Sequence, residues 1–89
     1  MRIVFFGSPT EAAESLESLI AAGHDIAAVY SQPDRKSGRG RNKTATPVKT
    51  FATQNDLPVF TPKGLRNNVE ELERLNDLNA DVFVVVAYG

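Results

Sequence analysis

The residues best suited to chemistry are basic side chains that cluster between Gln32 and Thr46. Only one acidic residue, Asp34, lies among them, whereas the rest of this 89-residue chain is acidic and the formal net charge is −1. The basic residues are Arg35, Lys36, Arg39, Arg41 and Lys43. Guanidinium groups bind phosphates through paired hydrogen bonds, and interspersed glycines let the backbone follow a surface. This basic segment, residues 32–46, predicts contact with phosphates or nucleic acid, and the alternative is a solvated loop without a binding role.

A second candidate is the segment GSPTE, which follows the first apolar run of the chain. Gly7 ends that run, Ser8 can form a capping box with Glu11, and Pro9 suits the first position of a helix. The N–H groups of a helix N-terminus attract an anion or a carbonyl oxygen. The segment lacks the glycine fingerprint of dinucleotide-dependent oxidoreductases and the P-loop lysine. An ordinary capped helix start would explain the same residues.

The remaining ionisable groups predict no catalytic centre. His24, the only histidine, begins the second strand, so it should lie at the end of the sheet opposite a ligand site and play a structural role. The acidic residues of VEELERLND should form a solvated helix face in which Glu70 pairs with Arg74.

Several classes of site and location are disfavoured by composition. The chain has no cysteine, which excludes a disulfide framework and a cysteine-based zinc site, and we expect no metal. The apolar run after Met1 is too short for a signal peptide or a membrane span. We therefore expect a soluble cytoplasmic protein.

Strands and helices should alternate in the order β-α-β-loop-α-β-α-β. The strands are predicted in RIVFFG, DIAAVYS, LPVF and DVFVVVAYG. Helices should follow SPTE up to Gly23, occupy TPVKTFATQN with Thr46 as cap and Pro47 first, and occupy NNVEELERLNDL. The buried stripe of the last helix should be Val69, Leu72, Leu75 and Leu78. This alternation predicts an α/β protein with a Rossmann-like parallel sheet in the strand order 3-2-1-4.

Open parallel sheets bind ligands beyond the carboxyl ends of their strands, here where strand one meets strand four. The predicted pocket rim consists of Gly7, Ser8, Pro9, Tyr88 and Gly89. Strand four should lie at the sheet edge and expose a long apolar segment of the kind that complete domains cover. We therefore expect the sheet to be truncated after strand four, with residues 1–89 forming the N-terminal part of a larger domain.

Six segments together resemble the start of the bacterial methionyl-tRNA formyltransferases. They are RIVFFGSP, AAGHDIAAVYSQPDR, GRGR, TPVK, LPVF and NADVFVVVAYG. The resemblance implies a Rossmann-like domain and transfer of a formyl group from 10-formyltetrahydrofolate to the methionine amine of initiator methionyl-tRNA. It also implies a cytoplasmic enzyme of translation initiation and one-carbon metabolism, with the tRNA and the folate as partners and neither DNA nor a membrane. The basic segment would contact the tRNA acceptor stem, with Arg39 as the first residue expected to bind.

The family's catalytic Asn, His and Asp, and its folate motif, would lie beyond strand four. The resemblance therefore implies no catalytic residue in this chain and no formyl transfer by the 89-residue chain alone. Two alternatives stay open: a formyltransferase that acts on a nucleotide-sugar amine, and an RNA-binding module without chemistry. A small substrate has no use for so many basic side chains, and a bare apolar strand edge argues against a stand-alone module.

Overall fold

A computed structural model of the chain describes residues 1–36, 43–65 and 68–89. The four strands of the main sheet alternate with the helices, as the sequence predicts, and two further short strands interrupt this alternation. The elements are β1 (Arg2–Gly7), α1 (Thr10–Ala21), β2 (Asp25–Tyr30), β3 (Arg35–Lys36), β4 (Lys43–Thr44), α2 (Pro47–Gln54), β5 (Val59–Phe60), α3 (Val69–Asp77) and β6 (Val82–Val86).

The main sheet has four parallel strands in the order β5-β2-β1-β6. Because β3 and β4 lie outside this sheet, that order is the predicted 3-2-1-4 of the four predicted strands. The α/β class and the Rossmann-like arrangement are confirmed. β6 lies at one edge, beside β1, and β5 at the other. The carboxyl ends of β1, β2 and β6 therefore meet on one side of the sheet, which is where a ligand site is expected.

The core lies on both faces of β1, which explains its unbroken apolar sequence. Phe5 packs toward α1 and α2 with Leu16 and Val48, and all three side chains are fully buried. Phe6, on the opposite face, packs with Leu75 of α3. A central parallel strand covered on both faces needs apolar residues at every position rather than at alternate ones. Among the described helices, none is long and apolar enough to cross a membrane.

The predicted helix caps are partly confirmed. Thr46 caps α2, and Gly23 follows α1 with φ of 88°, the left-handed conformation that favours glycine. The predicted capping box of α1 is wrong, because Pro9 precedes the helix and no side chain caps it. The hydroxyl of Ser8 bonds instead to groups at the ends of β2 and β6. The Ser8 hydroxyl thus bonds to the ends of neighbouring strands and does not cap α1.

The predicted buried stripe of α3 is wrong at its first two positions. Leu75 is buried and Leu78 is partly buried, but Val69 is 64% and Leu72 is 51% exposed. α3 lies beside the edge of the sheet, where Leu72 and Phe83 border an open groove. In the described part of the chain, this end of the helix borders the groove rather than packing against the sheet.

The basic segment contains more regular structure than a loop. β3 and β4 form a short antiparallel pair in which Arg35 lies opposite Thr44 and Lys36 opposite Lys43. Strands of two residues are too short to leave an alternating pattern in the sequence. β5 is also shorter than the predicted strand LPVF and begins at Val59.

Candidate functional site

A cleft of about 240 Å³ lies at the carboxyl ends of β1, β2 and β6. Four of the five predicted rim residues line this strand-end cleft, namely Ser8, Pro9, Tyr88 and Gly89. It is also lined by residues from other segments, namely Gln32, Arg35, Thr46, Pro47 and Ala87. The expected end of the sheet therefore contains a concave surface. A ligand-binding role for these residues stays a prediction.

The fifth predicted rim residue, Gly7, lies beneath the cleft. It is buried, and a Cβ added there would lie 2.7 Å from Cβ of Ala12 and 2.8 Å from the carbonyl oxygen of Val86. Glycine therefore lets the end of β1 approach both α1 and β6 closely. Gly7 shapes the cleft through packing, because its neighbours leave no room for a side chain.

Ser8 joins the ends of the three strands that form the cleft. Its Oγ donates a hydrogen bond to the carbonyl oxygen of Tyr88 at 2.8 Å and accepts one from the backbone N–H of Gln32 at 3.2 Å. Its carbonyl oxygen accepts a further bond from the N–H of Val48, in the first turn of α2, at 3.2 Å. The hydroxyl is thus committed to structure, and we assign it no role as a nucleophile.

The turn after β6 has an unusual backbone. Ala87 has φ of 48°, in the left-handed region, and its side chain is exposed at the cleft. A non-glycine residue in this conformation costs about 1–2 kcal/mol, and such residues concentrate at binding sites. The hydrogen bond from Ser8 to the next residue, Tyr88, holds this turn in place.

The basic segment reaches the cleft through one of its predicted binding residues. Arg35, at the start of β3, is exposed and lines the cleft. Lys43 is exposed on the paired strand β4, and Lys36 lies opposite it in the register. Arg39 and Arg41 lie outside the described residues. The structure therefore brings together two sites that the sequence predicts separately, with Arg35 shared between them.

Two side-chain contacts connect the base of the basic segment to the start of α2, and the sequence analysis missed both. The carboxylate of Asp34 pairs with Nζ of Lys49 at 2.9 Å. The hydroxyls of Ser31 and Thr46 are hydrogen-bonded to each other. Each contact links residues 15 positions apart. Helix and strand periodicities relate residues only a few positions apart, so the sequence pattern does not reveal these contacts.

A second missed feature is a polar network under α3. The hydroxyl of buried Tyr30 donates to Oε2 of Glu71 at 2.8 Å, and Arg74 donates to Oε1 of the same carboxylate at 2.6 Å. The guanidinium of Arg74 also lies 4.1 Å from the centre of the Phe60 ring. Arg74 thus pairs with Glu71, three residues away, and the predicted pair with Glu70 is wrong. Position 71 is selected because it faces Tyr30.

The network changes the acidity of the only two tyrosines of the chain. Burial, followed by the hydrogen bond to Glu71, raises the pKa of Tyr30 from 10.0 to about 12. Burial and then the negative charge of Glu71 raise the pKa of Tyr88 as well. The Tyr88 hydroxyl is buried and has no hydrogen-bond partner in the described part of the chain. Its ring packs edge-on against Phe6 at 5.5 Å between centroids. We assign neither tyrosine to proton transfer near neutral pH.

The raised pKa of Tyr30 predicts a loss of stability in alkali. The unfolded chain releases the phenolic proton near pH 10, whereas the folded chain holds it to about pH 12. The contribution of Tyr30 to the free energy of unfolding should therefore be complete below pH 10 and should be lost as the pH rises toward 12. Phenolate absorbance of a Tyr88→Phe variant, in which Tyr30 alone titrates, measures the midpoint. A midpoint near pH 10 in the folded variant would contradict the network, and Tyr30→Phe should remove this part of the pH dependence.

Among the described residues, no group of three or more His, Cys, Asp or Glu side chains is placed to hold a metal ion. The polar side chains that line the described cleft are the amide of Gln32, the guanidinium of Arg35 and the hydroxyl-bearing residues Ser8, Thr46 and Tyr88.

Comparison with known proteins identifies relatives over the whole chain. A family model described as "Formyl transferase" matches residues 1–89. A protein of Prochlorococcus marinus subsp. pastoris (strain CCMP1986 / NIES-2087 / MED4), named methionyl-tRNA formyltransferase, is 47% identical over 89 residues. A protein of the same name from Prochlorococcus marinus (strain MIT 9215) is 45% identical over 89 residues. Each match covers 100% of this chain and 27% of the relative, so the chain spans about a quarter of the length of these curated relatives.

Proposed function

The chain belongs to the formyl transferase family, and we propose that it serves an enzyme that formylates the methionine amine of initiator methionyl-tRNA. In this proposal residues 1–89 are the N-terminal part of its Rossmann-like domain, and residues 32–46 are an inserted segment that contacts the tRNA. The observation that carries the proposal is the whole-chain identity of 45% and 47% to two proteins named methionyl-tRNA formyltransferase. The enzyme would act in translation initiation in the cytoplasm.

The geometry of the cleft supports a polyanionic substrate that enters from the basic segment. Arg35 lines the cleft, and Lys43 is exposed on the neighbouring strand of the β3–β4 pair. Phosphates bound along these side chains would place the end of the nucleic acid beside the strand ends. Contacts to phosphates position an RNA, and RNA stems are recognised mainly by shape and backbone.

The basic segment also favours RNA over the alternative substrate, a nucleotide-sugar amine. Such a substrate carries few phosphates, all close together, and one or two cationic groups suffice to bind it. The segment presents exposed cations on both strands of the pair, Arg35 on β3 and Lys43 on β4. A phosphate backbone lying along the pair would contact both.

The co-substrate in this proposal is 10-formyltetrahydrofolate, which supplies the formyl group. The strand-end cleft of about 240 Å³ is smaller than the pockets of roughly 300–1,000 Å³ that enclose small molecules, so it does not enclose a folate by itself. We therefore assign no folate contact and no catalytic group to this chain. Its residues would bind the tRNA and shape one wall of the reaction site.

The salt dependence of tRNA binding tests the role of the basic segment. Each contacted phosphate lowers log affinity by about 0.7 to 0.9 per unit of log salt, so three contacts by Arg39, Arg41 and Lys43 would give a slope of roughly −2 to −3. Replacing Arg39 with alanine should flatten the slope by about one unit and weaken binding at low salt. Binding of initiator tRNA to the complete enzyme across a salt series measures both quantities.

The matched control is Lys63→Ala, which removes the same charge from an exposed residue outside the basic segment. It should leave the slope unchanged. If Arg39→Ala behaves like this control, the basic segment is a solvated surface feature, and the proposed tRNA contact is wrong.

A further inference from the structure

In the described part of the basic segment, an ion pair links it to helix α2. Asp34, directly before β3, pairs with Lys49 of α2 at 2.9 Å, and the two side chains are 28% and 32% exposed. The ion pair between Arg2 and Asp25, at the other end of the sheet, is longer at 3.2 Å and more open, at 43% and 65% exposure. The Asp34–Lys49 pair is therefore the better shielded of these two links between elements, and solvent screens it less.

Lys49 occupies a position that its own helix does not favour. It lies in the first turn of α2, where the helix dipole presents its positive end and an acidic residue would stabilise the helix. That turn contains no acidic residue. The carboxylate of Asp34, which lies outside the helix, forms an ion pair with Lys49 and offsets its unfavourable charge. Helix stability alone does not account for a lysine here, whereas a link to the basic segment does.

The helix end that carries Lys49 is held firmly against the cleft. Thr46 caps α2 and is hydrogen-bonded to Ser31 at the end of β2. The N–H of Val48 donates to the carbonyl oxygen of Ser8. Lys49 is thus a fixed point, and its bond to Asp34 fixes the residue that immediately precedes Arg35.

We propose that Asp34 and Lys49 are positioning residues that hold the base of the basic segment so that Arg35 faces the strand-end cleft. This inference rests on the proposed function above, because the substrate to be positioned is the tRNA. Neither residue needs to touch RNA: Asp34 is an anion, and the charge of Lys49 is paired with it. Their joint effect is to orient the segment before the substrate arrives, which lowers the entropic cost of binding.

The affinity of an Asp34→Asn variant for tRNA tests the proposal, because two explanations predict changes in opposite directions. General electrostatics predicts tighter tRNA binding, because the variant removes a negative charge from a surface that binds a polyanion. The positioning role predicts weaker binding, by about fivefold, because the base of the segment is no longer fixed. Asp25→Asn is the matched control. It makes the same change in net charge and breaks the ion pair with Arg2, and its affinity should be equal to that of the original chain or slightly higher.

Hydrogen exchange supplies a second readout that does not depend on RNA. Backbone amides of β3 and β4 should exchange faster in Asp34→Asn and in Lys49→Met, while those of β1 and β2 stay unchanged. Asp34→Glu, which keeps the carboxylate, should restore both slow exchange and tight binding. In the double variant the two losses should not add, as expected for residues that act through one contact.

The outcomes separate this inference from the proposed function. If the complete enzyme with the original sequence does not bind tRNA, the proposed function fails and this inference fails with it. If it binds and its Asp34→Asn variant binds equally well or more tightly, only the positioning role is overturned. Unchanged exchange of the β3 and β4 amides in Asp34→Asn would also overturn it.

Discussion

Replacing Gly7 with alanine is expected to lower the free energy of unfolding by about 3 kcal/mol, at the upper end of the usual cost of overpacking a core. The new Cβ would lie 2.7 Å from Cβ of Ala12, 2.8 Å from the Phe5 ring and 2.8 Å from the carbonyl oxygen of Val86. Two of these neighbours are a backbone atom and the Cβ of a helix residue, so neither can rotate away. Relief requires β1, α1 or β6 to shift, and each of them shapes the strand-end cleft.

Gly64→Ala is the matched control, because a Cβ at that position meets nothing within 4 Å. It should change stability by less than about 0.5 kcal/mol, as surface substitutions usually do. Urea unfolding followed by circular dichroism measures both variants. If the two alanines cost the same, the close approach at the end of β1 is not a constraint in solution.

Replacing Ser8 with alanine is expected to cost about 2 kcal/mol, since it removes two hydrogen bonds and leaves partly buried groups without partners. The groups concerned are the carbonyl oxygen of Tyr88 and the N–H of Gln32, which the Ser8 hydroxyl connects at 2.8 and 3.2 Å. The left-handed turn at Ala87 would also lose the bond that holds it. Unfolding experiments measure the loss of stability, and hydrogen exchange at residues 87–89 measures the loosening of the turn.

Ser15→Ala is the control for this prediction. The Ser15 hydroxyl also donates to a backbone carbonyl oxygen, that of Glu11 at 3.1 Å, but the bond is local and exposed within α1. Such bonds to a residue four positions earlier slightly destabilise helices, so the substitution should be neutral or mildly stabilising. Equal losses at positions 8 and 15 would show that the hydroxyl of Ser8 does not connect the strands.

Local signals in the sequence are sufficient for the helices and for the four strands of the main sheet, including the order of those strands, but not for the short pair β3–β4. β1 and β6 contain continuous apolar runs. Thr46 caps α2 and Pro47 is its first residue, a signal that is confined to a single turn. Right-handed connections between parallel strands leave few arrangements of four strands, and the predicted order 3-2-1-4 corresponds to the observed β5-β2-β1-β6. The location of the cleft followed, because strand ends meet at one side of such a sheet.

The tertiary structure alone decided which polar groups are partners. The Ser8 hydroxyl had a local option, the cap of α1, and bonds instead to the carbonyl oxygen of a residue 80 positions away. In the sequence Asp34 is the single acidic residue among the cations of the basic segment, but in the fold its carboxylate pairs with Lys49 of α2. Helix spacing allowed Arg74 to pair with Glu70, and contact with Tyr30 selected Glu71. Each choice depends on distances created by packing, and a sequence carries no direct signal for distances between residues far apart in the chain.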